Sequence, residues 1–448
     1  MSNLTKALAT LFNIRPGEGV AVALLFGHAF FIGVVNVFFQ TPASALFLSR
    51  AGVETLPYVY ICTAVVAVLL GMAYQRMETR FPPPRLFVGA LVFLFVTILG
   101  LYFALWLYPT RWLAIALMIW QEVVWIVEEL EFWALAGFLF NVRQGKRLFA
   151  LAWSGEIVAS ILGGFLVPGL VGIVGTENLF LFASGGVVGS LFFLVLILKR
   201  FRDRFYEPKD EEQPDEDARE PFFQLFKNPY LVLFFAVSVL SMLVFQFVDY
   251  IFYDQVEQNI LDEARLAGFF GVFFAVLGIV NLVMNAFVSG PVLTRFGLPV
   301  GLLALPVVVA FGMGVAVLLQ LLLGAAVLFF WLLVGTKLLD EVLRVAIEGP
   351  VNRILYQPLP PRRRMRVQTI RESMVETTTI GVAGLFLLIL VNYFSLGTLT
   401  LCYLVLAIVA AWIVAAVFLR RKYTEVLTAA LGLDKRRWAS FWNRRDRN

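Results

Sequence analysis

Long apolar stretches separated by short polar segments make up most of this chain. A helix that crosses a bilayer needs about 20 mainly apolar residues, and each stretch is close to that length. The pattern predicts about twelve transmembrane helices, at residues 19–41, 56–75, 86–108, 112–140, 147–172, 177–198, 229–253, 266–290, 298–320, 322–347, 374–393 and 397–419. We therefore expect an all-α integral membrane protein.

The longest polar segment separates two sets of six predicted helices. Its many charges and its prolines cannot enter a bilayer and have little to bury, so we interpret it as a mobile cytoplasmic linker whose end, from Phe222 to Lys227, is amphipathic. The predicted division is a six-helix half at 1–198, the linker at 199–228, a second six-helix half at 229–419, and a basic cytoplasmic tail at 420–448. The tail is either an interfacial segment or disordered.

The positions of lysine and arginine orient the predicted helices. If the N-terminus is cytoplasmic, then of the 36 Lys and Arg residues the outer loops hold only Arg50, Arg111 and Arg265. Cytoplasmic loops of membrane proteins carry an excess of Lys and Arg. We expect both termini in the cytoplasm and a bacterial cytoplasmic membrane as the location, with an organelle inner membrane as the alternative.

The composition excludes a soluble protein. Hydrophobic residues make up 60% of the chain and charged residues 15%, against roughly 25% charged in a typical soluble domain. Cys62, Cys402 and the single histidine, His28, provide neither a disulfide framework nor a multi-histidine metal centre. The chain contains no P-loop, dinucleotide-binding glycine motif or nucleophile elbow. We expect no enzyme activity, no cofactor and no nucleic-acid partner; the expected partners are a small-molecule solute and the lipid bilayer.

The two halves share landmarks at a constant distance along the chain. A shift of 219 residues takes Glu122 to Glu341, and the same shift pairs further residues, namely Gly71 with Gly290, Arg76 with Arg295, Glu129 with Glu348, Arg143 with Arg362 and Arg147 with Arg366. The arginines of the last two pairs fall in predicted loops. Parallel six-helix repeats are the architecture of the major facilitator superfamily. In that fold the first and fourth helices of each half line a central cavity.

Charged residues inside predicted helices are the strongest functional candidates, because each costs roughly 2.5–3.5 kcal/mol at the centre of a membrane helix. In the fourth predicted helix Glu122 and Glu129 share one face, Glu131 points nearly the opposite way, and Glu128 lies between. We predict that Glu122 binds substrate and that Glu129 takes part in gating. Glu131 must find a partner within the protein.

The tenth predicted helix carries a charged stripe of Lys337, Asp340, Glu341, Arg344 and Glu348. Successive spacings of three and four residues let these side chains pair along the helix. One interpretation is an ion-pair ladder that holds a gate or two helices together, with Asp340, Glu341 and Glu348 as its acids. The other is an anion-binding site built on Lys337 and Arg344. Lys337 in a cavity favours transport, and Lys337 sealed between helices favours a non-transporting scaffold or sensor.

Further polar candidates lie on other predicted helices. Asn36 and Gln40, one turn apart in the first helix, are predicted to hydrogen-bond a ligand, whereas His28 is interpreted mainly as a satisfied polar residue and otherwise as a proton relay. Asp249 is a weaker candidate. Glu156 follows Gly155, where a small residue allows close helix approach, and is expected to pair with the 143–147 loop or a neighbouring helix.

Several segments resemble the nucleotide transporters of the bacterial and plastid ATP/ADP translocase type, a divergent branch of the major facilitator fold. The similarity covers about residues 10–420. It rests on the segments Arg15-Pro-Gly-Glu18, Ala45-Leu-Phe-Leu-Ser49, Leu56-Pro57-Tyr58, Phe132-Trp133, Asn141-Val-Arg-Gln-Gly-Lys146-Arg147, Gly268-Phe-Phe-Gly271 and Leu355-Tyr356-Gln357-Pro358-Leu359-Pro360. The resemblance implies a secondary transporter, and exchange of ATP for ADP would make it an antiporter.

The chain departs from that family at its charged signatures. The family's lysine at the end of the first helix corresponds here to Ala43, and the lysine that follows the Pro-Leu-Pro segment corresponds to Gln368, next to Arg371, which we assign to gating. Of the family's charged positions, Glu122 is retained. We therefore expect a transporter of an organic anion or nucleotide-like solute that works by alternating access, and the missing lysine argues against exchange of ATP for ADP. The alternatives are a transporter of a lipid or amphipathic substrate, and a non-transporting scaffold or sensor.

Overall fold

The computed structural model describes Arg15, residues 17–205, Leu225 and residues 227–430. Throughout this part of the chain the regular elements are helices, and no strand is present. The predicted fold class is therefore confirmed as all-α. Most of the predicted linker, and the predicted tail beyond Ala430, lie outside the described residues.

The first half of the chain forms six long helices joined by short connections. They are α1 (Gly19–Arg50), α2 (Leu56–Glu78), α3 (Pro83–Leu107), α4 (Arg111–Leu139), α5 (Val142–Val174) and α6 (Leu179–Arg200). A 3₁₀ turn, Arg202–Phe205, follows α6 and buries Phe205. The start of the predicted linker is thus folded back onto the helices.

The second half is built from helices that are interrupted more often. They are α7 (Pro229–Asn259), α8 (Glu263–Val283), α9 (Ser289–Leu323), α10 (Ala326–Leu343), α11 (Gly349–Leu355), α12 (Pro361–Ile370), α13 (Thr377–Leu387) and α14 (Thr398–Ala430). π-helical turns at Met284–Val288, Arg344–Glu348, Arg371–Glu376 and Leu388–Tyr393 link several of them. π turns are frequent at functional sites, and two of these four carry ionised side chains.

Nine helices in the described ranges are long and apolar enough to cross a membrane. One of them is the continuous stretch Glu263–Leu323, which turns at Gly297, where φ is +67°. Helices α4 and α10 are not among the nine because each carries several acidic or basic residues. The exact number of membrane crossings therefore stays a prediction.

The described residues form two compact units. The described parts of Met1–Thr55, Val65–Asp210 and Ile260–Ile279 make up the first unit, and those of Leu56–Ala64, Glu211–Asn259 and Val280–Asn448 make up the second. The start of α2 thus groups with the second unit and most of α8 with the first. The division into two sequential halves stays a prediction.

The constant shift between the halves reappears in the helix boundaries. Helix α5 begins at Val142 and α12 begins at Pro361, while α6 begins at Leu179 and α14 at Thr398. Both pairs of helix starts differ by the 219 residues that relate Glu122 to Glu341. This agreement is independent of the charged residues from which the repeat was inferred.

Two predicted boundaries were wrong. Arg143 and Arg147 lie in the first turns of α5 rather than in a loop, and Arg362 and Arg366 lie in α12. The cause at α5 is a capping box, in which Asn141 Oδ1 accepts from the Gln144 backbone N–H at 2.9 Å and the Gln144 side chain accepts from the Asn141 backbone N–H at 3.1 Å. Capping lets a helix continue through polar residues, which hydropathy does not detect.

Helix α14 also continues past the predicted end of the twelfth helix, to Ala430. The extension contains Lys422 and Glu425, which pair at 2.7 Å one turn apart on an exposed surface. The described part of the predicted tail is therefore helical.

Glycines hold α1 and α5 close together inside the first unit. A Cβ added to Gly33 on α1 meets the carbonyl oxygen of Glu156 on α5, and one added to Gly155 meets the carbonyl oxygen of Phe26. Lipid tails are as apolar as leucine, so membrane helices associate through close backbone packing at small residues. The small residue predicted to allow helix contact at Gly155 has that role.

Candidate functional site

The second unit contains three groups of paired charged side chains that interact electrostatically with one another, and together we call them the C-terminal charge network. It consists of three cations, Lys337, Arg344 and Arg371, and five acids, Asp249, Asp340, Glu341, Glu348 and Glu376. Helix α10 and the π turn after it supply most of these groups, α7 supplies one, and the π turn after α12 supplies the last pair.

Lys337 lies at one end of this network and is almost completely buried, with 3% of its side chain exposed. Its Nζ is 2.6 Å from Asp249 Oδ1 on α7 and 2.8 Å from Glu341 Oε1 one turn further along α10. It also lies 4.2 Å from the ring centroid of Phe245. Asp249 accepts a further hydrogen bond from the Tyr60 hydroxyl at 2.6 Å. Lys337 is therefore sealed between helices of the second unit.

Arg344 occupies the middle of the network, at the start of a π turn. Its Nη2 donates to Asp340 Oδ1 at 3.1 Å, and its Nη1 donates to Glu348 Oε2 at 2.9 Å and to Ser241 Oγ at 2.8 Å. The guanidinium stacks on the same Phe245 ring, 4.6 Å from its centroid. One aromatic ring therefore supports two of the three cations.

Arg371 completes the network beside a different aromatic ring. Its Nη2 is 2.6 Å from Glu376 Oε1, its Nε donates to Ser238 Oγ at 2.8 Å, and it lies 5.8 Å from the centre of Phe234. Arg371 and Glu376 are five residues apart, a spacing that does not align side chains on an α-helix. The π turn Arg371–Glu376 adds one residue to the turn and brings them together.

The first unit contains a smaller and drier group, which we call the N-terminal acid cluster, formed by His28, Glu128, Glu131 and Glu156. His28 and Glu131 are fully buried, with Nε2 2.8 Å from Glu131 Oε2. His28 Nδ1 lies 3.0 Å from the carbonyl oxygen of Ser190. Glu131 thus has the protein partner that its position on α4 required, and sequence reasoning did not identify that partner as His28.

Other predicted site residues of the first unit occupy half-buried positions. Asn36, Gln40, Glu122 and Glu129 are each partly exposed. The structure gives the amides of Asn36 and Gln40 no hydrogen-bond partner among the described residues, whereas Glu122 and Glu129 both have electrostatic or hydrogen-bonding interactions. These positions bring the two amides one turn apart on α1, and their ligand-binding role stays a prediction.

The segment that aligns with the family's charged signature is part of the packed core. Thr41, Ala43 and Ser44 are each 0% exposed. No cation occupies this part of α1, and the residue at the lysine position has no access to solvent. The structural environment agrees with the sequence in giving this stretch no anion-binding side chain.

The predicted partner of Glu156 was wrong. Glu156 Oε1 accepts from Ser160 Oγ at 3.0 Å on its own helix, and Arg147 instead binds Glu18 at 2.7 Å. Burial disfavours the charged form of Glu18, but hydrogen bonds from the Arg15 backbone and the Arg147 guanidinium outweigh it and hold the pKa of this carboxyl below its ordinary value. The basic start of α5 is therefore tied to the start of α1.

Comparison with known proteins gives relatives of low identity. No family model matches the chain. ADP,ATP carrier protein 1 of Chlamydia trachomatis serovar D is 24% identical over 339 residues, which cover 70% of this chain and 63% of that protein. ADP,ATP carrier protein 2 of the same organism is 24% identical over 369 residues, covering 68% and 67%. The chain is similar to the bacterial ADP,ATP carriers. This similarity confirms the resemblance found in the sequence motifs, and it spans less than two thirds of the first relative's length.

Solved structures identify the fold. A bacterial homologue of the iron transporter ferroportin in its inward-facing state superposes with a TM-score of 0.63 at 16% identity, covering 89% of this chain and 98% of that one. A variant of the nucleoside transporter NupG gives a TM-score of 0.62 at 12% identity, covering 90% and 99%. The chain has the same fold as these two transporters, and the protein is an integral membrane protein.

Proposed function

We propose that the protein is a secondary transporter of a nucleotide-like organic anion and that the C-terminal charge network holds the anion. The similarity to ADP,ATP carriers over most of the chain supports the solute class. The observation that carries the binding site is the set of three cations, Lys337, Arg344 and Arg371, within one unit of the membrane domain. Arginine and lysine are the side chains that bind phosphate and carboxylate groups, arginine often through two hydrogen bonds.

Every cation of the network is already paired, so an anion binds only by displacing a carboxylate. The most exposed acids are Glu341 on Lys337, at 28%, and Glu376 on Arg371, at 27%. These two can rotate into water at the lowest desolvation cost, whereas Asp340 is 0% exposed and stays on Arg344. Both pairs that break lie within one helical segment, Lys337–Glu341 on α10 and Arg371–Glu376 in one π turn, so the displacement leaves the Lys337–Asp249 contact between α7 and α10 in place.

The negative charge of the displaced carboxylates sets the charge of the anion that can replace them. A phosphomonoester carries about −1.5 to −2 at pH 7, which matches two departing carboxylates. ATP and ADP carry more negative charge. In the network, five acids outnumber the three cations that could offset that charge. The buried Ala43 supplies no additional cation. We therefore assign a solute with one phosphate group, such as a nucleoside monophosphate.

A ligand-induced thermal shift tests this site. Detergent-solubilised protein is heated with AMP, ADP, ATP, inorganic phosphate or adenosine, and the same panel is applied to Arg344→Gln. A ligand at about 100 times its Kd stabilises the folded state by about 2.7 kcal/mol. We expect AMP to raise the Tm of the wild type and not of the variant, while uncharged adenosine has no effect.

Two further variants make the result interpretable. The Lys337→Met/Asp249→Asn double variant removes a cation without leaving its buried partner unpaired, and should also lose the AMP shift. Lys422→Ala removes an exposed lysine outside the network and should keep it. Equal AMP shifts in Arg344→Gln, the double variant and the wild type would exclude the network as the anion site.

A non-transporting membrane scaffold is the second candidate, because Lys337 is sealed between helices instead of facing open space. In that case the network only stabilises the second unit. Substrate counterflow separates the two candidates, since a scaffold moves no solute.

A further inference from the structure

The N-terminal acid cluster contains a carboxyl group without a partner. Glu128 on α4 is 1% exposed, and neither of its carboxylate oxygens has a hydrogen-bond donor among the described residues. An ionised carboxylate in such a place is very costly unless it is paired. Buried polar groups in native proteins are nearly always hydrogen-bonded, so an exception calls for an explanation.

The neighbouring ion pair cannot compensate a charge on Glu128. His28 Nδ1 lies 3.0 Å from both the carbonyl oxygen and the hydroxyl oxygen of Ser190, so it can either donate or accept there. Its Nε2 shares a proton with Glu131 Oε2 at 2.8 Å. In each of these arrangements the net charge of the pair is zero or negative. A charge on Glu128 would therefore be the uncompensated charge of the cluster.

Among the described residues, the groups that reach this cluster from the surrounding helices do not supply a cation. Glu131 on the same helix and Glu156 on α5 both act on Glu128, and both are acids. Tyr74 of α2 interacts with Glu131. Arg204, on the 3₁₀ turn that packs against α4, donates to the Leu139 carbonyl oxygen, about three turns away. Among the described residues, an ionised Glu128 would therefore be buried without a hydrogen-bond donor and with further acids beside it.

We propose that Glu128 is a proton-binding site that couples solute movement to a proton gradient. A proton from water on one side bonds to a carboxylate oxygen of Glu128, and the same O–H bond breaks when water on the other side reaches the group; no electrons are transferred. The His28–Glu131 pair keeps its shared proton and supplies a buried wall without net positive charge. This inference rests on the proposed transport function, and it assigns the coupling ion.

An infrared measurement tests the proton site without any solute. Difference spectra of the reconstituted wild type at about pH 5 and about pH 9 report carbonyl bands of protonated carboxylic acids, since an exposed glutamate has a pKa near 4.3. Several buried carboxyl groups can give such bands, so we expect the wild-type spectrum above that value to contain a component that is missing in Glu128→Gln. Glu425→Gln, at an exposed carboxylate, keeps it. Absence of acid bands in the wild type, or identical spectra of the wild type and Glu128→Gln, would overturn the proposal.

Transport in proteoliposomes tests the coupling. With the membrane potential clamped at zero and labelled AMP as the probe, a gradient of one pH unit allows about tenfold accumulation at one proton per solute. Glu128→Gln should retain counterflow but accumulate no AMP, and Glu128→Asp should recover accumulation. Glu128→Gln that accumulates AMP like the wild type would refute coupling through Glu128 while leaving transport intact. If the wild type shows no counterflow, the transport proposal fails, and the infrared band decides on proton binding alone.

Discussion

Lys337 Nζ lies 2.6 Å from Asp249 Oδ1, across an interface between two helices that are far apart in the sequence. The lysine is 3% exposed and the aspartate 16%, so neither charge is well solvated. Because Lys337 also holds Glu341, it joins α7 to the charged stripe of α10. This contact extends the ladder on α10 to a second helix.

Removing one partner of this pair should destabilise the protein more than removing both. Breaking a buried ion pair on one side typically costs about 3–5 kcal/mol, because the remaining charge stays buried. Asp249→Asn should therefore lower the unfolding free energy by about 3 kcal/mol, less whatever Glu341 compensates. Lys337→Met combined with Asp249→Asn should recover a large part of that loss. Unfolding in mixed micelles measures both, and additive effects of the single variants would show that the contact is weak.

Gly155 should tolerate no side chain, because a Cβ there meets the carbonyl oxygen of Phe26 on α1. Gly155→Ala is expected to cost about 1–3 kcal/mol by overpacking. Gly172 lies on the same helix with open space around it, so Gly172→Ala is the matched control and should be neutral or slightly stabilising. Equal thermal stability of the two alanine variants would mean that α1 and α5 do not pack closely.

A lysine introduced at Ala43 should not restore nucleotide exchange of the ADP,ATP carrier type. Ala43 is 0% exposed, and burying an ammonium group without a partner costs roughly 2.5–3.5 kcal/mol even on membrane insertion scales. Ala43→Lys is expected to lower the Tm and to leave ATP/ADP exchange absent, as measured by back-exchange of labelled ADP in proteoliposomes. Efficient exchange by this variant would show that the missing lysine alone separates the chain from those carriers.

The Glu18–Arg147 contact should make stability fall at acid pH. The pKa of Glu18 is lower in the folded protein than its ordinary value of 4.5, so its contribution is fully present above that pH. The contribution is lost as the pH falls through the folded pKa, because the acid must then be protonated in the folded state. Glu18→Gln should remove this part of the decline below about pH 4.5. An unchanged acid profile in the variant would show that Glu18 does not contribute.

The sequence predicted much of the network, because side-chain spacing along one helix is regular. The pairs of Lys337 with Glu341 and of Arg344 with Asp340 and Glu348 have the four-residue spacing from which a ladder was inferred. The contact of Lys337 with Asp249 joins two helices, and no local pattern encodes it. A lone aspartate in the apolar run of α7 was the available signal, since such a charge needs a partner.

Other features follow from irregular backbone geometry, which periodicity does not reveal. The pairing of Arg371 with Glu376 depends on a π turn, where the fifth residue rather than the fourth comes back to the same side. The early start of α5 depends on the capping box at Asn141. Hydrophobic runs predicted that helices would form and roughly where, since burial in lipid drives that choice. Caps and π turns are set by individual hydrogen bonds.

Substrate counterflow tests the central proposal most directly. Proteoliposomes loaded with unlabelled AMP receive trace labelled AMP, and wild type, Arg344→Gln and Lys422→Ala are compared at equal protein density. Transport of a nucleotide-like anion through the C-terminal charge network predicts transient label uptake by the wild type and Lys422→Ala, reduced at least tenfold in Arg344→Gln, since losing a charged hydrogen bond costs about 1.5–3 kcal/mol. Equal uptake by Arg344→Gln would contradict the site, and no uptake by the wild type with AMP, ADP, ATP or inorganic phosphate would contradict transport of this solute class.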